Sequence, residues 1–437
     1  MAYLIGFLAA IMAAQVFAQP LRQWSASNLA WLQQQVTPNR AVPDPDPSRR
    51  RLLISYQIEP AKFPTGFSRS AVYDNALAAL ALLATGRADE AAFTLHALAR
   101  LTRPDGSLWF GYNTANNWPD ESDHHSATVR AGSVGWAGYS LAFYLANALP
   151  CPPANEGCSR EKAFFLETAG RLANYLLSLE VREPDHPCRG LLRLGHGSIQ
   201  LRYREQTNEV VEIYLDQPAR SISTENNISA WYFLRLLGSQ TGEARWSQAA
   251  ERIRLGLLRG AWNPQIGQFN QGFSPAGEPD AVKALDCASW GCLFLLSAGD
   301  REKARKATAA VETYFASRDG EAAGYRPYFD VRIFPNLEVG RFFFPDNPAR
   351  QWRDLPLVWS EGTLGAALAF ARLGEAERAR RAVEGLRALQ AAGSGLRYAS
   401  RAVPHEMSDA PSVAAASWLV LLAESVDGNP MVERFLR

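Results

Sequence analysis

An alternation of two helix types, repeated almost from end to end, limits this chain to very few folds. An apolar helical segment ends at a glycine turn, and a charged, alanine-rich amphipathic segment follows at once. Leu80–Gly86 runs into Arg87-Ala-Asp-Glu-Ala-Ala92, Leu295–Gly299 into Asp300-Arg-Glu-Lys-Ala-Arg305, and Ala369–Gly374 into Glu375-Ala-Glu-Arg-Ala-Arg380. A fourth copy, Trp231-Tyr-Phe-Leu-Arg-Leu-Leu-Gly238, places Gly238 at the helix stop. Glycine ends a helix because it adopts the left-handed conformation without a steric penalty. The acids just after it fall in the first turn of the next helix, where the helix dipole favours them.

The two types read as inner and outer layers. Residues 71–85, 131–147, 226–237, 283–298, 361–373 and 411–424 are apolar almost all round, as helices buried on every side must be. Residues 88–101, 161–179, 243–258, 301–316 and 375–390 are amphipathic, and a helix over 21–35 supplies a sixth outer member. The expected fold class is all-α, an (α/α)6 toroid of six inner and six outer helices. Inner-to-outer connections are a few residues around a glycine, whereas the reverse connections run from roughly 18 to more than 40 residues, well above the usual few. A solenoid would repeat at near-constant length. The long loops therefore gather on one face of a toroid, where function is expected. They are rich in aromatics, and residues 188–215, including Leu191–Leu194, read as strands of a small β-hairpin at the rim.

Acids recur where the inner helices begin, in Tyr73-Asp74-Asn75, Thr224-Glu225-Asn226-Asn227, Leu285-Asp286, Ser360-Glu361 and Ser408-Asp409. The remaining inner helix starts at Arg130. Parallel inner helices bring these ends together on the floor of the long-loop face. Helix capping is the competing explanation, because Ser223, Ser360 and Ser408 are good caps and first-turn acids are favoured. It accounts for Asp409 and less well for Asp74, since Ser70 is the better cap and leaves Asp74 a turn inside. Glycoside hydrolysis needs one carboxylic acid to protonate the leaving oxygen and one carboxylate to activate water or attack the sugar. Glu361, beside Trp359 and opening an apolar helix, best fits the acid, with Glu225 as the alternative. Asp286 and Asp74 are the candidates for the base. Trp109, Tyr112, Asn113, Arg130, Trp136, Asn226, Trp290 and Trp359 are the expected sugar-binding residues.

Lysine and arginine number 45 against 44 acids, so no broad positive field exists for nucleic acid or an anionic membrane. The 12 tryptophans and 14 tyrosines suit a carbohydrate partner, because sugar rings stack their C–H faces on aromatic planes. Residues 1–18 are an apolar run ending Val16-Phe17-Ala18, read as a signal peptide cleaved near Ala18. No later stretch is a membrane span, so residues 19–437 are expected to form one toroid domain in the periplasm or outside the cell, without stable membrane insertion. Five cysteines fit an oxidising compartment: Cys151 and Cys158 flank a short loop, Cys188 is a possible partner for either, and Cys287 and Cys292 read as buried thiols. No metal and no cofactor is expected, because neither the cysteine spacing nor the six histidines match a zinc motif.

These helix starts, together with Asp105-Gly-Ser-Leu-Trp109 and the glycine–acid turns, make roughly residues 50–425 resemble the six-hairpin glycosidase superfamily. That resemblance implies cleavage of glycosidic bonds in polysaccharides or oligosaccharides, often with inversion. Asp74, Glu225, Asp286 and Glu361 match the expected site, but which pair is catalytic does not carry over. The Arg103–Trp109 stretch is also similar to repeats of terpene cyclases, although the clustered aspartates such enzymes need are missing. An exported glycoside hydrolase is the leading expectation. A polysaccharide lyase or sugar epimerase on the same scaffold is the second; it would draw on His124, His125, Tyr112 and Arg130. A non-catalytic glycan-binding or assembly protein is the third.

Overall fold

The computed structural model describes residues 19–37, 51–59, 67–116, 118–119, 124–148 and 156–437. Its helices, in chain order, are α1 (19–34), α2 (Val72–Ala84), α3 (Ala88–Leu101), α4 (Ala131–Asn147), α5 (Glu156–Ser178), α6 (Thr224–Thr241) and α7 (Ala244–Gly256). They continue as α8 (Leu285–Ser297), α9 (Arg301–Ala310), the short α10 (Leu337–Phe343), α11 (Ser360–Leu373), α12 (Ala376–Glu384) and α13 (Val413–Val426). Helices α2, α4, α6, α8, α11 and α13 pack as successive neighbours, and α13 returns to α2, closing a ring. Helices α3, α5, α7, α9 and α12 each lie outside the inner helix that precedes them. Helix α1 takes the sixth outer place: its Arg22 pairs with Asp427 at the end of α13, and its Asn28 side chain accepts from the Leu396 amide at 2.9 Å. The fold is the expected (α/α)6 toroid.

Burial explains the division. In α4 every residue from Ala131 to Leu145 is buried, so both faces must be apolar. In α12 only Ala379, Ala382 and Val383 are buried, one stripe of an otherwise charged helix. Small residues then set how closely inner helices approach. A Cβ added at Gly138 of α4 would lie 2.3 Å from the Phe233 ring of α6. Gly138→Ala is therefore expected to lower stability by about 1–3 kcal/mol, the cost of overpacking a tight core. Urea unfolding measures it, and an unchanged midpoint would contradict this packing.

The turns and helix starts correct several sequence expectations. Gly86, Gly242, Gly299 and Gly374 take positive φ at the short turns. The α6 stop is Gly242, not Gly238. Gly238 lies inside the helix because α7 crosses there: an added Cβ would meet Ser247 Oγ at 2.4 Å. Ser408 is not the cap of the last inner helix. Ser412 accepts from the Ala415 amide at 3.1 Å, and Asp409 lies exposed in the preceding loop. Ser360 is the first residue of α11 and donates instead to the Arg397 carbonyl at 2.6 Å. Asp74 lies in the first turn of α2, and Ser70 accepts from the Asn75 side chain at 2.7 Å rather than capping.

Every long connection emerges at the N-terminal ends of the inner helices. There short strands brace the rim: β1 (Arg69–Ala71) pairs with β2 (Gly111–Asn113), and β3 (Val129–Arg130) with β4 (Gly195–Arg204). Strand β4 pairs in turn with β5 (Glu209–Ala219), forming the expected hairpin, although Leu191–Leu194 make only one isolated bridge instead of a strand. Further on, β6 (Ile222–Ser223) joins two strands of the α7–α8 connection, Gly272–Phe273 and Pro279–Asp280. Cys158 is disulfide-bonded, whereas Cys188, Cys287 and Cys292 are buried free thiols. Cys151 and the proposed signal segment, residues 1–18, lie outside the described residues. Among the described residues no helix is long and apolar enough to cross a membrane.

Candidate active site

A cavity of about 590 Å³ opens at the N-terminal ends of the inner helices. Asp74 of α2, Glu225 of α6, Asp286 of α8 and Glu361 of α11 all line it, each in the first turn of its helix. The convergence follows from geometry, since parallel helices in a ring present all their first turns to one space. None of the four acids serves as a cap. Helices α2, α8 and α11 have no side-chain cap at all, and α6 is capped by Ser223, which accepts from the Asn226 amide at 3.3 Å. These carboxylates therefore sit in a cavity without the structural duty that could have placed them there.

Burial governs their protonation, because a low-dielectric surrounding disfavours the charged form. Asp74 is pushed up to about 6, with a hydrogen bond from Ser55 and the charge of Arg69 pulling it back. Glu225 is pushed up to about 7 by burial alone. Asp286 lies well above the usual carboxylate range through burial and the nearby charges of Glu225 and Glu361, and its Oδ1 has no hydrogen-bond partner. Burial likewise lifts Glu361 to about 8, against the pull of a hydrogen bond from Tyr73 and with a push from the charges of Asp74 and Glu225. The Tyr73 hydroxyl donates to Glu361 Oε1 at 2.5 Å and accepts from Trp418 Nε1 at 2.9 Å. With its lone pair taken by the indole, the tyrosine proton is directed at Glu361.

Arg130, Trp136, Asn226 and Trp359 also line the cavity. Arg130 additionally braces the rim, its Nη1 donating to the carbonyls of His196 and Gly197, each at 2.9 Å. The structure places Trp109, Tyr112, Asn113 and Trp290 elsewhere. Trp109 and Trp118 pack against each other, tilted, with ring centroids 5.6 Å apart within the α3–α4 connection. Tyr112 is buried beneath Trp109, whose amide donates to its hydroxyl at 3.3 Å. Asn113 sits in β2 and accepts from the Ala115 amide at 2.8 Å. Trp290 lies below the floor, packed on Trp136 at 5.3 Å and Trp418 at 5.8 Å. Tyr56, Arg69, Tyr73 and Tyr398 line the cavity outside the residues expected from the sequence, whereas Tyr328 and Trp352 belong to one of the aromatic-rich long connections expected to build it. Only Tyr73 carried a usable signal, its place beside Asp74 at a helix start. None of the described histidines lines the cavity, and among the described residues no group of three or more His, Cys, Asp or Glu could hold a metal ion.

By sequence the chain matches no protein-family model and none of the curated proteins. By fold it is similar to a D-mannose isomerase at 9% identity, covering 94% of this chain and 97% of that one with a TM-score of 0.59. It is similar to a cellobiose 2-epimerase from Bacillus thermoamylovorans at 10% identity, covering 95% and 100% with a TM-score of 0.59. It is also similar to a GH63 mannosylglycerate hydrolase from Thermus thermophilus at 14% identity, covering 92% and 100% with a TM-score of 0.56. These likenesses show a shared fold, the (α/α)6 toroid.

Proposed function

We propose that this protein is an exported glycoside hydrolase that cleaves its substrate with inversion, using Glu225 as general acid and Glu361 as general base. The observation that carries the reading is the directed hydrogen bond from Tyr73 to Glu361. The Tyr73 bond pulls Glu361 toward its ionised form against the burial that lifts it to about 8, whereas nothing draws Glu225, lifted to about 7 by burial, back from its neutral form. The two assignments reinforce each other. A protonated Glu225 removes one of the charges that hold Glu361 up. A base on one side of the sugar and an acid on the other is the arrangement that inversion requires, with the carboxyls roughly 6.5–9.5 Å apart to admit water.

In the reaction, Glu361 takes a proton from water as that water attacks the anomeric carbon, and Glu225 gives its proton to the departing glycosidic oxygen. The orphaned Oδ1 of Asp286 is suited to a sugar hydroxyl, and burial with the nearby charges of Glu225 and Glu361 shifts this carboxyl toward its neutral form. Asp74, near Arg69 and bonded by Ser55, supports the floor. Lyase or epimerase chemistry would draw on histidine or a tyrosine–arginine pair. No described histidine lines the cavity, which favours hydrolysis over histidine-based chemistry; tyrosines that line it beside Arg69 and Arg130 keep a tyrosine–arginine pair as the second reading. The apolar run over residues 1–18 and the disulfide at Cys158 support export to the periplasm or beyond.

The test is incubation with neutral and acidic oligo- and polysaccharides, with new reducing ends, unsaturated-uronate absorbance and the anomer first released all followed. Reducing ends of inverted configuration are expected. Retention, or an unsaturated product, would overturn the assignment. Tyr73→Phe gives a pH-dependent check. Its hydroxyl lowers the Glu361 pKa, so its removal raises it, and a base must be ionised to work. The acidic limb of the pH–rate profile is therefore expected to move to higher pH, with activity at neutral pH falling. An unmoved acidic limb would contradict the role given to Tyr73.

A further inference from the structure

Each of the six long connections contributes a wall to the cavity: Tyr56, Phe110, Leu194, Phe273, Trp352 and Met407 come from them in turn. A groove that binds the interior of a polymer needs two gaps on opposite sides, whereas here each long connection contributes described residues to the lining. It is also blind. Below the carboxylates, Trp136, Trp290 and Trp418 pack together with ring centroids 5.3–6.2 Å apart, and Phe435 lies 5.9 Å from Trp418.

The β4–β5 hairpin crosses above. It springs from the α5–α6 connection, and α6 stands opposite α13 in the ring. Yet its Tyr203 ring packs at 5.7 Å on Phe342 of α10, in the connection that leads to α11. Its Glu212 is 2.8 Å from His405, in the connection that leads to α13. A hairpin rooted on one side and fastened on the other bridges the rim, where Glu212 also accepts from the His124 amide at 3.2 Å. His405 holds φ of +64° at the tip of its loop, an unusual conformation for a non-glycine residue that presents the imidazole to Glu212.

We infer that the cavity receives one end of a short saccharide and releases terminal units, so that the substrate class is an oligosaccharide or small glycoside and not the interior of a polymer. This rests on the hydrolase reading for the cleavage step but on wall, floor and roof for the binding mode. The probes are linear malto-, cello- and manno-oligosaccharides from disaccharide to hexasaccharide, with cyclic malto-oligosaccharides as substrates that have no ends. Binding to the full chain is read by tryptophan fluorescence, and products are followed by time course.

The expected result is an affinity that stops rising beyond the first few sugar units, stepwise shortening of linear chains, and intact cyclic ones. Opening of a cyclic substrate, early mid-length fragments, or an affinity that keeps rising to the hexasaccharide would overturn the inference. If linear sugars bind with the plateau and none is cleaved, the hydrolase reading fails and the pocket stands. If none binds, both fail. Glu212→Ala, which unfastens the hairpin without touching a carboxylate of the floor, is expected to raise hydrolysis of the corresponding linear polymer severalfold. An unchanged rate on polymer would count against the roof.

Discussion

Glu225→Gln is expected to slow hydrolysis of an ordinary glycoside by about 10²–10⁴-fold, the usual contribution of a positioned proton donor, while sparing a dinitrophenyl glycoside. Dinitrophenolate departs without protonation, so the loss of the acid matters little to it. Glu361→Gln is expected to slow both substrates, because water still has to be activated whichever group leaves. The pair of variants therefore separates acid from base by a pattern instead of by a single loss. If Glu361→Gln kept the activated substrate and Glu225→Gln lost both, the roles would be reversed. If both variants stayed fully active, neither residue would belong to the catalytic pair. Glutamine preserves shape and removes the titrating proton, so both proteins should fold. An oligosaccharide that still binds Glu225→Gln but is not turned over would separate catalysis from simple glycan retention.

The second large effect concerns the opposite end of the ring. Phe435 is fully buried, with ring centroids 5.9 Å from Trp418, 6.0 Å from Tyr139 and 6.3 Å from both Trp136 and Phe143. The adjacent Leu436 amide donates to the Tyr139 hydroxyl at 2.9 Å, tying the segment in place. Phe435→Ala removes a ring from a packed core and leaves a cavity, a change that costs about 3–5 kcal/mol. Urea unfolding should show a lower midpoint with an unchanged slope. A loss below about 1 kcal/mol would mean that the segment is not part of the core. Activity should fall as well, because Trp418 packs on Phe435 and also holds Tyr73, which holds Glu361.

Much of this arrangement is legible in the sequence. The inner helices read as apolar all round because they are covered on every side, and the outer ones as amphipathic because only one stripe is. Glycine turns and the long connections between them mark the working face. The acids at four inner-helix starts were found because their positions recur. The errors have local causes. Gly238 and Gly242 lie one turn apart, and either could end the helix until the crossing of α7 excludes a side chain at Gly238. Trp290 lies one turn beyond Asp286, far enough along α8 to be under the floor instead of on it. Trp109 and Tyr112 belong to a connection that leads to the cavity but spends its own aromatics on packing.

Periodicity and punctuation are local properties, and the chain declares them residue by residue; they determined the helix types, the order of layers and the existence of one acidic face. What the acids do depends on neighbours that periodicity does not specify. Tyr73 and Glu361 are 288 residues apart in sequence, and only closure of the ring brings the hydroxyl to the carboxyl. The same closure encloses the four carboxylates in one cavity, and burial together with neighbouring groups, not residue type, sets their protonation. The roof is likewise a tertiary fact, since Glu212 and His405 meet only because a hairpin rooted on one side of the ring reaches the other.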